Sequence, residues 1–253
     1  MIVDIHVHPE DTDEPARIDA MLEVARRTRI DRLVLLGAVG QHGYTPTPEG
    51  IRSANDRSLQ WMRHRPDACL GFCYLNPAHD PGFSREELQR CVAEGMLGIK
   101  LWVAVNARDP RLDPILELAA EQGLPVLFHA WYKTVGLAAE ESSPADIADL
   151  ARRHPTVPLI MAHVTGGGQR GVADVAELPN VLVDTSGSQP VAGIIEYAVR
   201  ELGEERVLFG SDAYGRDFAV ALARVEAAAL TPRQRRLVLG GNAARLLMLE
   251  ELS

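Results

Sequence analysis

The chain has 253 residues, a formal net charge of −9, 46% hydrophobic and 24% charged residues, the make-up of a soluble globular protein with room for one large α/β domain or two small ones. An acidic balance without a basic stripe argues against a nucleic-acid partner, and no apolar run reaches the length of a membrane span. Three cysteines (Cys69, Cys73, Cys91), none in a C-x-x-C pair, fit a reducing compartment; with no basic n-region and apolar core at the start, the expected location is the cytoplasm.

The first strand, Ile2-Val3-Asp4-Ile5-His6-Val7-His8-Pro9, sets the pattern. Side chains alternate faces along a strand, so Asp4, His6 and His8 share one face while Ile5 and Val7 take the other. Two imidazoles at a strand end can hold a metal ion from one side. The motif alone is weak, because a chain this rich in histidine meets H-x-H by chance about once in four such sequences. Its place, closing an apolar strand just before the helix-breaking Pro9, strengthens it.

Strand patterns follow at Leu33–Gly37, Cys69–Leu75, Leu97–Trp102, Pro125–His129, Pro158–His163, Asn180–Asp184 and Val207–Ser211. They are nearly unbroken by charge, as strands buried on both faces should be. Between them helices read at Arg17–Arg29, Ser53–His64, Gly171–Leu178, Val191–Leu202, Phe218–Ala228 and Ala243–Leu249. Ser84-Arg85-Glu86-Glu87 has the form of a capping box, and Asp113-Pro114, Ser143-Pro144 and Thr231-Pro232 each set an N-cap residue before a first-turn proline. Eight strands alternating with helices, no linker between domains and no glycine-rich phosphate loop after the first strand point to a single (β/α)8 TIM-type barrel over residues 1–253, with its chemistry at the C-terminal ends of the strands.

Those ends are informative. Strand 1 presents His6 and His8; strand 4 presents Lys100 and Trp102; strand 5 ends in His129, with Trp131 and Lys133 beyond; strand 6 ends in His163; strand 7 in Asp184, Thr185 and Ser186; strand 8 in Asp212, with Tyr214 and Arg216 after it. His64 and His154 stand in helix-ending contexts where the helix dipole and solvent suffice, and His42 and His79 are loop residues facing solvent or substrate. The run Gly166-Gly167-Gly168 either cradles an anion or turns the chain into the next helix, and a lone glycine run favours the turn.

The segments Asp4-Ile5-His6-Val7-His8-Pro9, Gly98-Ile99-Lys100-Leu101, Leu124 to His129, Met161-Ala162-His163, Phe209-Gly210-Ser211-Asp212 and Gly241-Asn242-Ala243 resemble, in order and over nearly the whole chain, the amidohydrolase superfamily and within it the amidohydrolase-2 branch of metal-dependent hydrolases and decarboxylases. The resemblance implies a metal-dependent barrel enzyme in which His6, His8, His129 and Asp212 surround the ion, with His163 either a ligand of a second ion or an acid–base residue. Neutral imidazoles with one carboxylate suit Zn²⁺, with Mn²⁺ or Fe²⁺ as alternatives, and one ion is favoured over two.

On that basis the ion lowers the pKa of a water toward neutrality, Asp212 accepts its proton, and His163 polarises the substrate carbonyl or protonates the leaving group. Lys100 has three readings: a carboxylated lysine bridging a second ion with His163, an unmodified ammonium holding a substrate carboxylate, or a stem lining the barrel whose head finds an aspartate or water. Trp102 and Trp131 are expected to wall the substrate pocket, and Arg216 to clamp an anion. Asp4, one step deeper, reads as an outer partner rather than a ligand. The leading expectation is hydrolysis of a small, carboxylate-bearing amide, lactone or ester. The alternative is decarboxylation or hydration of a small unsaturated or aromatic acid, and the third is a non-catalytic metal-binding or interaction protein. A small-molecule substrate is the expected partner, with a homo-oligomer the usual state of such barrels.

Overall fold

Every apolar run that the sequence marks as a strand is one, and each is followed by a helix. The computed structural model describes residues 1–103, 105–189 and 191–249. Its strands are β1 (Val3–Val7), β2 (Arg32–Leu35), β3 (Cys69–Gly71), β4 (Cys73–Leu75), β5 (Ile99–Leu101), β6 (Val126–Phe128), β7 (Leu159–Met161), β8 (Val181–Asp184) and β9 (Val207–Leu208). The helices that follow them are α1 (Pro15–Arg27), α2 (Pro48–His64), α3 (Pro81–Ala93), α4 (Asp113–Gln122), α5 (Pro144–Arg153), α6 (Val164–Val175), α7 (Ile194–Leu202) and α8 (Phe218–Ala227), with the short α9 (Pro232–Arg236) and α10 (Asn242–Leu246) at the end.

All strand pairs are parallel, β1–β2–β3 in one ladder and β4 through β9 in another. Two seams join the ladders. β3 and β4 are halves of one strand interrupted at Phe72, whose N–H donates to Leu35 O at 2.9 Å while Cys73 N–H donates to Gly98 O at 2.8 Å. At the other seam Ile5 N–H donates to Phe209 O and Asp212 N–H to His6 O, both at 2.9 Å. The result is the (β/α)8 barrel, eight strands in a ring with helices outside.

Mid-strand residues fill the interior. Val34, Phe72, Leu127, Ile160, Leu182 and Leu208 pack there with Val3 and Ile5, and Ala243 and Leu247 of the C-terminal segment join the same cluster. Lys100 pairs in register with Tyr74 on one side and Leu127 on the other, so it belongs to this interior layer. The simple alternation expected for β1 is broken by a register shift between Asp4 and Val7. Ile5 therefore joins the interior cluster, whereas Val7 packs in the larger one between strands and helices. Among the described residues, no helix is long and apolar enough to cross a membrane.

Helix α2 starts at Pro48, five residues before the expected Ser53, and two expected caps are displaced for one reason. Asp80 caps α3 by accepting Phe83 N–H at 3.2 Å ahead of Pro81, so Ser84 and Glu87 lie inside the helix and form no capping box. Asp109 similarly caps a 3₁₀ turn, Pro110–Leu112, that runs into α4 and makes Asp113 its first residue. In both, an upstream Asp-Pro pair outcompetes the later signal. Ser143 and Thr231 do form capping boxes, with Asp146 and Gln234. Helix α6 begins at Val164, earlier than its periodicity suggests, and is kinked at Gly168.

The buried Glu87 serves a different purpose. Its carboxylate takes two donors from Arg90 at 2.7 and 2.9 Å and the Asn55 amide at 2.8 Å, while Asn55 also bonds the Tyr74 backbone, so α2, α3 and β4 are clasped together. Burial pushes the Glu87 carboxyl up, but Arg90 and Asn55 outweigh it and the net pKa is lowered. A lowered folded-state pKa contributes stability above the unfolded value and loses it as pH falls through the folded one. Glu87→Ala is expected to cost about 3 kcal/mol in urea unfolding at neutral pH. The gap between wild type and variant should narrow in acid.

Candidate metal and active site

The site is assembled by strand ends. His6 Nε2 and His8 Nε2 lie 3.2 Å apart, and Asp212 Oδ1 lies 3.6 and 3.8 Å from them. A tetrahedral cation with bonds of about 2.1 Å sets its ligand atoms about 3.4 Å apart, so this triangle has the right dimensions to hold one. The remaining ring nitrogens are occupied: His6 Nδ1–H donates to Asp184 Oδ2 at 2.7 Å, and His8 Nδ1–H to Gly37 O at 3.1 Å. Each imidazole thereby turns an unprotonated Nε2 toward Asp212, the orientation that outer partners impose on metal-binding histidines. Donor type and spacing both fit a divalent cation.

Electrostatics support that state. Burial foremost, then the Lys100 ammonium, hold His6 far below its ordinary pKa and His8 down to about 3. Burial likewise leads in lowering His129 and His163, so all four rings are neutral at physiological pH. Asp212 is pushed up to about 6, chiefly by burial and against the pull of Lys100. Asp4 is pushed up to about 7 by burial, partly offset by hydrogen bonds from Ser211 and the His6 backbone, and it stands outside the triangle.

His129, expected as the next ligand, lies beside the triangle rather than on it: its Nδ1 is 3.0 Å from His163 Nε2 and its Nε2 is 2.7 Å from Glu141 Oε1. The structure thus brings His6, His8 and Asp212 together, and His129 and His163 form a second pair beside them; the His6 and His163 rings are 4.9 Å apart. His6, His163 and Asp184 also fall within ligand distance of one another. There Asp184 is already saturated, accepting from His6, from the backbone N–H groups of His163 (3.0 Å) and Ser186 (2.9 Å), and from the Ser186 hydroxyl. His163 and Asp212 both have left-handed backbone, with φ of 67° and 64°. Such strain in non-glycine residues costs about 1 kcal/mol each and concentrates at functional sites.

Lys100 is fully buried, one layer beneath the cavity wall, and its Nζ has no hydrogen-bond partner, so its head does not settle on an aspartate. Burial lowers its pKa to about 8 against the pull of Asp212 and Asp184. The other three substrate-binding candidates, Trp102, Trp131 and Arg216, line a cavity of about 570 Å³ that reaches His8, His129, His163 and Asp212. Gly166 makes room for one wall, since a Cβ there would sit 2.6 Å from the Trp131 ring. The glycine run is neither an anion cradle nor a turn ahead of the helix but the first turn of α6, in which the N–H groups of Gly166 and Gly167 both donate to His163 O. His79 donates to Pro46 O, and His64 and His154 bond Asp19 and Asp113, all away from the cavity.

The sequence pattern gives no role to Asp184, Ser186 or Glu141. Asp184 and Ser186 were visible at a strand end, but nothing local marks Glu141, which lies in the β6–α5 loop.

Fold and site together describe a (β/α)8 barrel with a histidine–aspartate cluster at its strand ends whose donors and spacing fit a cation. The amidohydrolase-2 family model, described as "Amidohydrolase", matches residues 3–249. The chain belongs to this family of metal-dependent enzymes. Among solved structures it is similar to a 2,6-dihydroxybenzoate decarboxylase from Rhizobium (19% identity, 98% of each chain covered, TM-score 0.78). It is also similar to a dihydroxybenzoic acid decarboxylase from Polaromonas with bound manganese (19% identity, 98% of this chain and 96% of that one, TM-score 0.76). A third is 4-oxalomesaconate hydratase from Rhodopseudomonas palustris (17% identity, 98% and 96% covered, TM-score 0.72). At these identities the likeness establishes the fold. A search of curated proteins finds no significant match.

Asp184→Asn replaces an all-acceptor side chain with one that also donates. It should lower divalent-cation affinity, measured by calorimetric titration of the metal-free protein, about 10- to 100-fold with unchanged circular dichroism. Unchanged affinity would remove Asp184 from the centre.

Proposed function

We propose that the protein is a divalent-metal-dependent lyase that decarboxylates a small aromatic or unsaturated carboxylic acid. The observation that carries this reading is one cavity that joins His8 and Asp212 of the triangle to two indole walls and two cationic side chains, Lys133 and Arg216. The solved relatives named for decarboxylation and hydration of unsaturated acids support the same class. Hydrolysis, the leading expectation from sequence, becomes the second reading.

A cation such as Zn²⁺ or Mn²⁺ on the triangle would hold substrate oxygens and stabilise negative charge that develops on them. Trp131, whose ring stacks against His129 at 6.2 Å, and Trp102 bound a slot suited to a flat acid. Arg216, with Nε 4.0 Å from Asp212 Oδ2, and Lys133 attract its carboxylate from solvent. Lys100 acts from behind as a buried positive charge. When the carbon–carboxylate bond breaks, carbon dioxide leaves and the bonding electron pair stays on carbon, which must take a proton. Asp212, taking a proton from water at its exposed side, is placed to relay it to that carbon: Oδ1 faces the histidines and Oδ2 the open side. His163, in the cavity wall, positions a substrate oxygen.

Hydrolysis of an amide, lactone or ester would use the same floor, with Asp212 taking a proton from water instead. The 17% exposure of its side chain, which admits water, keeps this reading in play.

The metal-loaded protein, incubated with hydroxybenzoates, should release carbon dioxide. Chelation should abolish this, and Asp212→Asn, assayed at metal concentrations that restore loading, should slow it by about 10²- to 10⁴-fold. Ring opening of lactones without carbon dioxide release from any acid would establish the hydrolase instead. Metal analysis should return one ion per chain and a reduced content in His8→Ala; two ions would point to a carboxylated Lys100.

A further inference from the structure

We infer that Glu141 is a positioning residue for His129 that locks this imidazole in one tautomer whose bare Nδ1 faces the site, with Lys133 paired to the carboxylate from outside. The Glu141 side chain is wholly buried although it comes from a loop. Its Oε1 lies 2.7 Å from both His129 Nε2 and Lys133 Nζ, and its Oε2 accepts Ala138 N–H at 3.2 Å. An ionised carboxylate only accepts, so the proton of a neutral His129 must sit on Nε2. Nδ1 is then a lone pair. Lys133 supplies the charge that keeps the buried carboxylate ionised while the ring stays neutral.

What Nδ1 faces gives the lock its use. His163 Nε2 is 3.0 Å away. The other His163 nitrogen, Nδ1, lies 2.8 Å from Ser186 Oγ, whose own hydrogen goes to Asp184. Ser186 must therefore accept from His163 Nδ1–H, which leaves His163 Nε2 bare as well. Two lone pairs face each other, an arrangement that repels unless positive charge is drawn between or beside them. Each is held there by a carboxylate at the far end, Glu141 for one ring and Asp184, through Ser186, for the other. The lock also reaches the cavity wall: Lys133 Nζ lies 5.6 Å over the Trp131 ring, which stacks on His129.

What His129 is for rests on the proposed metal-dependent chemistry, but its tautomer is a property of the chain without any ion. Long-range ¹H–¹⁵N NMR of the metal-free protein at mildly alkaline pH should show His129 protonated at Nε2 only. In Glu141→Gln, whose amide can donate as well as accept, the Nδ1–H form should appear, and Zn²⁺ affinity should fall about 10-fold or more. Lys133→Met, which leaves the carboxylate on the ring, should keep the tautomer and lose less affinity. A proton on Nδ1 in the wild type would overturn the inference. So would a folded Glu141→Gln protein with unchanged tautomer and affinity. Absence of carbon dioxide release with the tautomer results intact would count against the proposed reaction and leave the lock standing.

Discussion

The mouth of the barrel depends on the carboxylate of Asp184. Buried charge is costly unless its hydrogen-bonding capacity is filled, and here four donors from three strand ends fill it: the His6 ring, the His163 backbone, and the Ser186 backbone and hydroxyl. In satisfying Asp184 these groups are themselves fixed. His6 is held with Nε2 toward His8 and Asp212, and His163 is held at the start of α6. Electrostatic satisfaction of one acid and the geometry of the cation triangle are therefore the same arrangement.

Lys100 is the second constraint. Its interior layer otherwise runs through Tyr74, Leu127, Ile160 and Leu182 in register. An ammonium within that layer, close enough to act on all four site histidines, biases them toward the neutral, lone-pair form. The cost of burying it is only partly offset by Asp184 and Asp212, which is why its own pKa is lowered.

The fold was legible because strands buried on both faces leave unbroken apolar runs, and because proline after a capping residue marks most helix starts. The site was legible as far as it follows from strand ends: His6, His8 and Asp212 meet as their positions suggest, and Trp102, Trp131 and Arg216 reach one cavity. What stayed hidden depends on distance in sequence. Asp184 meets His6 across 178 residues, and no local pattern separates it from a solvated strand-end acid. Glu141 sits in a loop whose course no periodicity describes, and the side His129 turns toward follows from that loop. The misplaced caps at Ser84 and Asp113 show a different limit, since an upstream Asp-Pro pair stood close to each expected signal and took the cap. The reaction class was underdetermined for a chemical reason: one floor of cation, carboxylate and imidazole serves hydration, hydrolysis and decarboxylation alike.

The seam at which Asp212 N–H donates to His6 O joins the opening strand to the end of the last one, and Ser211 N–H reaches Asp4 across 207 residues beside it. Contacts so far apart in sequence carry a large loop-closure entropy, which slows their formation. Ring closure and completion of the triangle are thus one event, and a partly folded chain offers a cation only the weak hold of neighbouring histidines. An ion that preferred the completed triangle would pull the seam shut by mass action, so binding at the strand ends and closure of the ring would be linked.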